Sequence, residues 1–254
     1  MKTLLLCAGG DSAFADPTYH YPKNLVEVGG QPLVQHAIDN LGSLAHDGRL
    51  VVVLRKDEAR AFHTPRVVRL IQPTAQVVLA GTTSGAASSA LLAVEEVDSD
   101  EPLLVCNGDQ VLDLDLPAVV ARFEADGLDA GVVTFEAVHP RWSYVRTEAG
   151  LVVEASEKRP ISTCATAGFY WFRRAGDFFA ATMAMICKGG AVEGAYYVCP
   201  ALNELVLDGK RIGIHPIERE RYFSLHNPAG VAVYERFLSH QRPGRLASVR
   251  EFSR

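Results

Sequence analysis

The sequence predicts an α/β protein with a Rossmann-like sheet that is mixed but mostly parallel and is flanked by helices. Over the first half of the chain, short apolar segments alternate with helical patterns, as in βαβ units whose strands are buried on both faces. After about residue 130, short strands follow one another through tight turns, without helices between them. This change predicts an antiparallel extension of the sheet that carries pocket residues.

Each element is predicted from its local pattern, since compact apolar runs indicate buried strands and apolar residues spaced three and four apart indicate helices. In the first half the predicted elements are the strand Leu4–Cys7, the helix Pro32–Leu41, the strand Leu50–Leu54, the helix Thr64–Ile71, the strand Val77–Leu79, the helix Ala86–Val97 and the strand Leu103–Cys106. In the second half they are the strands Gly131–Phe135, Ser143–Arg146, Leu151–Ser156 and Ala167–Phe172, the helices Asp177–Cys187 and Val198–Asp208, the strand Arg211–Pro216 and the helix Pro228–Leu238.

Length and composition are those of an ordinary globular protein. The 254 residues lie near the upper limit of one hydrophobic core, so we expect a single domain over residues 1–240 and a loosely held tail at 241–254. A net charge of −5 without basic runs argues against binding to nucleic acids or anionic membranes. We expect neither a membrane-spanning helix nor a cleavable signal peptide, since no apolar run is long enough.

The five cysteines are odd in number, scattered and mostly placed in apolar runs. This usage indicates reduced, packed thiols rather than disulfides or a zinc site. We therefore expect a cytoplasmic protein.

The most informative segment begins where the first predicted strand ends. The apolar run Thr3–Cys7 breaks into Ala8-Gly9-Gly10, followed by Asp11-Ser12-Ala13-Phe14. Small residues after a buried strand let backbone N–H groups approach a phosphate, and Lys23 in Tyr21-Pro22-Lys23 can return to it as a positive charge. An ordinary strand–loop–helix start would explain Ala-Gly-Gly alone, but not its combination with the later segments.

Two further segments have the features of ligand-binding turns. The small residues from Gly81 to Ala90 open a helix and offer free N–H groups and hydroxyls, although a plain N-capped helix has the same pattern. Asn107-Gly108-Asp109 follows the strand Leu103–Cys106 and places a carboxylate at the carboxyl edge of the sheet, where such folds bind ligands. Asp109 is therefore the best candidate for a Mg²⁺ ligand, with a structural turn aspartate as the alternative. We expect Gly108 to remove a side chain that would crowd phosphates.

The second half of the chain supplies a mixed aromatic and charged segment and a charged pair. The segment His139-Pro140-Arg141-Trp142-Ser143-Tyr144 suits a pocket wall, although the entry of a half-buried strand has the same composition. Glu157 could accept hydrogen bonds from substrate hydroxyl or amino groups, while Lys158 and Arg159 could pair with a phosphate. A solvated surface is the alternative for this Glu-Lys-Arg run.

These segments, in this order, resemble the nucleotidyltransferase (sugar-nucleotide pyrophosphorylase) family, and more closely its small bacterial branch from capsule and surface-polysaccharide clusters. The likeness covers roughly residues 3–238. The motifs that carry it are Gly85-Ala86-Ala87, Asn107-Gly108-Asp109-Gln110, His139-Pro140-Arg141-Trp142-Ser143-Tyr144, Glu157-Lys158, Tyr197-Val198-Cys199-Pro200 and Asn203-Glu204-Leu205.

The resemblance implies a reaction that joins a nucleoside triphosphate to a phosphorylated sugar or small polar metabolite and releases pyrophosphate in surface-polysaccharide precursor synthesis. CTP is favoured over GTP, Mg²⁺ is the implied cofactor, and a homodimer is the expected assembly. Carried over by position, the catalytic residues are Lys23 and Asp109, and the metal ligands are Asp109 and, as a second candidate, Asp11. The implied nucleotide-binding residues are Cys7, Ala8, Gly9, Gly10, Asp11, Ser12, Gly85, Ala86, Asn107 and Gly108. The implied acceptor-binding residues, in the antiparallel extension and beyond it, are Arg141, Trp142, Ser143, Tyr144, Glu157, Lys158 and Tyr197.

The opening loop departs from the family pattern at two positions. The family usually has Gly-x-Gly-Ser-Arg-Phe, whereas residues 9–14 here are Gly-Gly-Asp-Ser-Ala-Phe. Asp11 replaces a glycine, and Ala13 replaces the arginine expected to neutralise the triphosphate, which lowers the local charge by two. A charge clamp of this kind is worth about 10³–10⁵ in rate.

Three further departures lie outside the loop: Asn24 stands where proline is usual, Ala195 where an acid is frequent, and Ser224 where many relatives have a second metal-binding aspartate. Two interpretations follow. The chain is either an active enzyme with a rearranged triphosphate site, using Lys23, His20 or Arg141 for charge, or a weak relative that binds nucleotide or sugar phosphate as a partner of another enzyme. A glycosyltransferase with the same nucleotide-binding core is a more distant alternative.

Overall fold

The computed structural model describes residues 1–16 and 19–241, so the expected tail at 241–254 lies outside the described residues except for Gln241. Over the first half of the chain, strands alternate with helices. The elements are β1 (Lys2–Cys7), β2 (Glu27–Val28), β3 (Gln31–Pro32), α1 (Leu33–Leu41), β4 (Leu50–Arg55), α2 (Lys56–Phe62), α3 (Thr64–Ile71), β5 (Gln76–Ala80), α4 (Ala86–Leu91), β6 (Leu103–Asn107), β7 (Gln110–Leu112) and α5 (Leu116–Ala125).

The second half opens with four strands in succession, as predicted. Its elements are β8 (Ala130–Glu136), β9 (Ser143–Glu148), β10 (Leu151–Glu157), β11 (Cys164–Phe172), α6 (Ala175–Cys187), α7 (Leu202–Leu207), β12 (Ile212–Ile217), β13 (Tyr222–Ser224) and α8 (Pro228–Gln241).

One nine-stranded sheet runs through the molecule in the order β5-β4-β1-β6-β11-β8-β12-β10-β9. The pairs β4–β5, β1–β4, β1–β6 and β8–β12 are parallel. Strands β10 and β11 run against the other seven, since their pairings with β6, β8, β9 and β12 are antiparallel. The mixed, mostly parallel sheet with an antiparallel extension is thereby confirmed.

Helices cover both faces of the sheet, because the central strands are apolar on both sides. On one face Leu5, Val52 and Leu104 pack with residues of α1, α3 and α5. On the other face Leu4 and Val53 pack with residues of α4, α6 and α7. Each of these side chains is about 99% buried or more, and full burial of a leucine is worth about 1.5–3 kcal/mol.

Three predicted helices differ from the observed ones by three residues or more at one end. The helix predicted to reach Val97 ends at Leu91 and continues only as a 3₁₀ turn at Val94–Glu96. The helix predicted from Val198 begins as a 3₁₀ turn, Cys199–Ala201, around Pro200, which lacks a backbone N–H, and becomes α-helical at Leu202. Helix α8 runs three residues beyond its predicted end at Leu238.

All five cysteines are free, as expected. Cys7, Cys106 and Cys199 are buried, and burial raises the pKa of each of these thiols well above its usual range. Within residues 1–16 and 19–241, every helix is too short or too polar to cross a lipid bilayer.

Candidate active site

A cavity of about 650 Å³ opens at the carboxyl ends of β1 and β6 and extends to the strands of the antiparallel half. Most of the predicted site residues meet in it. Those that line the cavity are Ala8, Gly9, Gly10, Lys23, Gly85, Ala86, Asn107, Asp109, Arg141, Trp142, Ser143, Glu157, Lys158 and Tyr197. The predicted residues outside its lining are Cys7, Asp11, Ser12, Gly108 and Tyr144.

Lys23 and Asp109 form an ion pair at one end of this cavity. Lys23 Nζ lies 2.8 Å from Asp109 Oδ2, with the lysine side chain 4% exposed and the aspartate 23% exposed. Burial opposes ionisation of Asp109, but the charge of Lys23 and the hydrogen bonds from His226 and Lys23 outweigh it and hold the carboxyl pKa well below its usual range. Burial likewise opposes the charged form of Lys23, and the neighbouring Asp109 raises the lysine pKa above its ordinary value. Both groups are therefore charged at neutral pH.

The glycines around this pair have two different roles. A Cβ on Gly9 would lie 3.2 Å from Lys23 Nζ, so the missing side chain leaves the ammonium group room under the loop. A Cβ on Gly108 would lie 2.2 Å from Cys7 Sγ. The expectation that Gly108 clears space for phosphates is therefore wrong, because its missing side chain makes room for the thiol in the wall. Cys7 is 2% exposed and supports the site from behind rather than contacting a ligand.

Gly85 joins the small-residue segment to the chain around Tyr196 and Tyr197. Its φ of 112° and ψ of 177° belong to a region that only glycine adopts readily. A Cβ there would lie 2.4 Å from the carbonyl oxygen of Tyr196. Backbone bonds of 2.6 Å from Tyr196 N to Ser84 O and 3.0 Å from Ala87 N to Tyr196 O fix the contact. Gly85 and Ala86 thus line the cavity as predicted, and this glycine also anchors the Tyr197 segment.

Asp11 does not face the cavity but is held by an arginine that the sequence did not single out. Asp11 Oδ2 lies 2.9 Å from Arg55 NH1, and Oδ1 accepts a bond of 3.3 Å from the Lys23 backbone N–H. Arg55 also pairs with Asp57 at 2.5 Å. Because both oxygens of Asp11 are engaged in this way, the structure gives no support to Asp11 as a metal ligand. The negative charge that the loop gains is offset by Arg55.

A second cavity of about 510 Å³ adjoins the first at the ends of β4 and β5. It shares Ala8, Gly10 and Thr83 with the larger cavity and is also lined by Arg55 and by further basic residues, Lys56 and Arg60. The positive charge missing at position 13 is therefore present on neighbouring elements. Arg55 is the last residue of β4, the strand beside β1, and this position was the one sign in the sequence that Arg55 lies near the site. No local motif marks the residue.

The antiparallel half builds the other end of the larger cavity. Glu157, 8% exposed, ends β10 and accepts a bond of 2.5 Å from Ser143 Oγ at the start of β9. Burial raises the pKa of Glu157, and the Ser143 hydrogen bond opposes this only in part. Lys158 pairs with Glu193 and lies 5.3 Å from the centre of the Tyr197 ring. These pairings raise the pKa of Lys158 above its usual range.

Trp142 forms part of the wall, with the Arg141 guanidinium 4.5 Å from its ring centre. Tyr144 does not line the wall, because it is 0% exposed and its hydroxyl donates to His139 O at 2.7 Å. Its predicted role in binding is therefore wrong, since the alternation of β9 turns Tyr144 into the core while Ser143 faces the cavity.

His226 is a second residue that the sequence did not reveal. Its Nδ1 lies 3.2 Å from Asp109 Oδ2, and it lines the cavity together with Ser224 and Asn227. The cavity thus has a charged end with Lys23, Asp109 and His226, and an end with Glu157, Ser143 and Lys158. Such an arrangement can hold a phosphate and a cation at the first end and hydroxyl groups at the second.

Comparison with known proteins agrees with this geometry. The family model of the MobA-like NTP transferase domain matches residues 3–168. A UTP–glucose-1-phosphate uridylyltransferase of Haloferax volcanii is 28% identical over 218 residues, which are 84% of this chain and 86% of that protein. A 2-C-methyl-D-erythritol 4-phosphate cytidylyltransferase of Acidobacterium capsulatum is 29% identical over 153 residues, 59% of this chain and 63% of that protein.

Among solved structures, a nucleoside-diphosphate-sugar pyrophosphorylase of Vibrio cholerae RC9 has the same fold. Its TM-score is 0.78 at 23% identity, with 92% of this chain and 99% of that chain covered. The family model matches more than half of the present sequence and includes β1, the loop after it and Asp109. This chain belongs to the MobA-like NTP transferase domain family and is a nucleotidyltransferase of the pyrophosphorylase type.

Proposed function

We propose that the chain transfers a nucleotidyl group to the phosphate of a phosphorylated sugar or small polar metabolite. An oxygen of the acceptor phosphate attacks the α-phosphorus of the nucleoside triphosphate, the bond from that phosphorus to its bridging oxygen breaks, and pyrophosphate leaves with the electron pair. The observation that carries the proposal is the buried Lys23–Asp109 pair at one end of a cavity whose other end holds Glu157 and Lys158. Positioning and charge neutralisation supply most of the rate in such transfers, and these residues provide both.

The proposed donor is a pyrimidine nucleoside triphosphate, with CTP tested first. Two curated relatives are named as a uridylyltransferase and a cytidylyltransferase, and a pyrimidine is common to both. The cavity offers the donor the small residues Ala8, Gly9 and Gly10, and the hydroxyls of Thr83 and Ser89, which lie 2.7 Å apart. Hydroxyl and backbone groups of this kind can distinguish a carbonyl group from an amino group on the base, because they can donate to the first and accept from the second.

The proposed acceptor combines a phosphate with hydroxyl or amino groups. Glu157 provides a carboxylate oriented by Ser143, which can accept hydrogen bonds from such groups. Arg141 and Lys158 supply positive charge beside the aromatic rings of Trp142 and Tyr197. This mixture of a carboxylate, two cations and aromatic walls fits a sugar phosphate.

The residues at the charged end fit a divalent cation, for which we propose Mg²⁺ with Asp109 as ligand. The carboxylate is held ionised by Lys23, and it lines the cavity beside the loop that follows β1. When bound, the cation neutralises charge on the phosphate oxygens. Lys23 supplies a second positive charge from below Gly9.

The substitution of arginine by Ala13 favours a second candidate function, a nucleotide-binding partner without turnover. Against it stands the positive charge of Arg55, Lys56 and Arg60 around the adjoining cavity. We further propose a role in surface-polysaccharide precursor synthesis. The free thiols support a location in the cytoplasm. For the assembly we propose a two-fold dimer, which is the commonest arrangement of soluble oligomers.

The deciding experiment measures pyrophosphate release with the four common nucleoside triphosphates and a panel of phosphorylated sugars and polar metabolites. We expect release with one donor–acceptor pair, and a loss of at least about 10²-fold in Asp109→Asn, which removes the charge but keeps an acceptor oxygen for Lys23. Glu204→Gln, far from the cavity and paired with Lys188, is the matched control. Nucleotide binding without release for every pair would establish the binding-partner function instead.

A further inference from the structure

The backbone around His226 and Asp109 is fixed and places the imidazole, which is 61% exposed, beside the carboxylate. Strand β13 pairs antiparallel with β7, which places Ser224 opposite Gln110. The next residue, Leu225, donates its N–H to Asp109 O at 2.8 Å. The first turn of α8 packs on the same segment, since a Cβ on Gly230 would lie 1.9 Å from Ser224 O. The imidazole therefore reaches Asp109 through a segment locked on two sides.

The spacing between the two side chains matches that of two ligands on one metal ion. His226 Nδ1 and Asp109 Oδ2 are 3.2 Å apart. Two ligand atoms that each lie about 2.1 Å from a cation, at right angles, are separated by about 3.0 Å. In the structure a hydrogen bond joins Nδ1 and Oδ2 across this spacing. A cation can take the place of the shared hydrogen with little movement of either side chain.

Other ligands must come from the nucleotide and from water. Among the described residues, no group of three or more His, Cys, Asp and Glu side chains is placed to hold a metal ion. Cations at phosphate-transfer sites commonly have one or two protein ligands, with phosphate oxygens and water completing the shell. A pair of side chains is thus sufficient here.

The geometry points to a divalent-cation site shared by Asp109 and His226, in which the imidazole shifts the preference from Mg²⁺ toward Mn²⁺. This inference rests on the proposed function only in that the cation accompanies the nucleotide. Mg²⁺ prefers oxygen ligands and rarely takes nitrogen, whereas divalent transition metals bind imidazole increasingly well from Mn²⁺ onward. By the family resemblance, Ser224 stands where many relatives have a second metal-binding aspartate, but in the structure the side chain that contacts Asp109 is that of His226, two positions later.

Lys23 and the cation share one oxygen of Asp109. Lys23 Nζ is already 2.8 Å from Oδ2, the same atom that His226 contacts. A cation on that oxygen would weaken the hold of Asp109 on the ammonium group by repulsion, and Lys23 would then be available to phosphates beside Gly9. Cation binding and phosphate binding by Lys23 are therefore coupled.

Mn²⁺ binding to the full chain tests the inference without turnover. Electron paramagnetic resonance measures free and bound Mn²⁺ in the presence of a non-hydrolysable nucleoside triphosphate analogue, and competition by Mg²⁺ provides the affinity ratio. We expect His226→Ala to weaken Mn²⁺ binding at least about tenfold and Mg²⁺ binding less. His226→Asp should restore binding and favour Mg²⁺. His46→Ala, at an exposed histidine, should leave both affinities unchanged.

Pulsed measurement of nitrogen coupling to bound Mn²⁺ provides a readout that a structural role of His226 would not move. We expect coupling to an imidazole nitrogen in the wild type and in His46→Ala, and its loss in His226→Ala. Equal Mn²⁺ affinities in wild type and His226→Ala, or coupling that persists in that variant, would overturn the inference. Absence of pyrophosphate release despite the nitrogen coupling would instead refute the proposed function alone, so the two failures are distinguishable.

Discussion

At the scale of single residues, the charge of the opening loop is the central question for function. Asp11 brings a carboxylate to a loop that is expected to approach a triphosphate, and Ala13 removes the usual compensating arginine. The structure compensates for the first change, since Arg55 pairs with Asp11 at 2.9 Å. The charge missing at position 13 is supplied by the basic residues Lys56 and Arg60, which line the adjoining cavity together with Arg55. The same guanidinium thus neutralises an acid and faces the space beside the loop.

Replacing Asp11 by asparagine should strengthen triphosphate binding. The change removes a negative charge near the phosphates and leaves the charge of Arg55 offset by Asp57 but no longer by Asp11, while the amide oxygen can still accept from the Lys23 backbone N–H. Two unit charges about 4 Å apart, such as a carboxylate and a phosphate, interact by about 4 kcal/mol at an effective dielectric of 20. Because Asp11 and Arg55 are partly exposed, solvent screening reduces the effect, and we expect roughly a tenfold gain in affinity.

Titration calorimetry with a non-hydrolysable triphosphate measures this gain. Asp57→Asn is the matched control, because Asp57 shares Arg55 as partner but is 68% exposed and lies outside the loop. An affinity that is unchanged in Asp11→Asn, or raised equally in both variants, would show that the loop does not hold the triphosphate.

Gly85 provides a second residue-scale prediction, on stability. Gly85→Ala would place a Cβ 2.4 Å from the Tyr196 carbonyl oxygen at a backbone conformation reserved for glycine. Strain and overpacking together should cost about 2–5 kcal/mol in the free energy of unfolding. Urea denaturation measures the loss, with Gly81→Ala as control because nothing lies within 4 Å of a Cβ there. Equal stabilities of the two variants would contradict the assigned role of Gly85.

Several predicted site residues that line the cavity belong to motifs at the ends of strands. Gly9 follows β1 and Asp109 follows β6, and parallel strands bring their carboxyl ends to one edge of the sheet. Arg55 and His226 were missed because each joins the candidate site only through a neighbour distant in sequence. A contact of that kind leaves no local pattern.

At the scale of elements, the nine strands of the large sheet and most helices were predicted. The short strands β2, β3, β7 and β13 were not, and helices α2 and α5 were given no bounds. Helix α2 was missed because its segment, KDEARAF, has few apolar residues and little periodicity. The place of β12 between β8 and β10 also could not be predicted, since it joins strands separated by some sixty to eighty residues and local patterns fix no sheet order. The succession of strands after residue 130 could be predicted from the sequence because it depends on short-range turns.

Helix α2 is tied to the first strand by a buried polar cluster that should make stability depend on pH. Glu58, 3% exposed, accepts bonds of 3.0 Å from Asn24 Nδ2 and Thr64 Oγ1, and Asn24 Nδ2 also donates to Cys7 O at 2.9 Å. Burial raises the pKa of Glu58 above 4.5, and these hydrogen bonds oppose the shift only in part. Because the folded-state pKa is the higher one, the contribution of Glu58 is fully present below pH 4.5 and is lost as pH rises through the folded value.

We therefore expect the stability of Glu58→Gln, relative to wild type, to increase as pH rises above 4.5 and then to level off. Chemical denaturation at a series of pH values between about 4 and 8 measures this difference. Glu95→Gln, at an exposed glutamate, should show a flat difference over the same range. A flat difference for Glu58→Gln as well would mean that this carboxyl group has no raised pKa in the folded protein.

At the scale of the whole molecule, the cavity connects the two halves of the sheet. One end is built on β1 and β6 and the other on β9 and β10, which occupy distant positions in the nine-stranded order. A ligand that contacts both ends binds only when both halves are folded. Ligand binding should therefore raise the stability of the entire described fold rather than of one half.

This coupling predicts a single thermal transition that moves upward with ligand. A nucleoside triphosphate analogue at about one hundred times its dissociation constant should add about 2.7 kcal/mol, which raises Tm by roughly 5–10 °C for a chain of this size. The two tryptophans report on different places, since Trp142 lines the cavity and Trp171 is fully buried in the core. Tryptophan fluorescence and circular dichroism should give coincident midpoints with and without ligand, because one cooperative unit unfolds.

Lys23→Met should reduce the shift strongly, whereas Lys188→Met, at a lysine paired with Glu204 away from the cavity, should retain it. A ligand that moves one signal but not the other would show that it binds to one half alone, which is incompatible with a cavity that joins donor and acceptor.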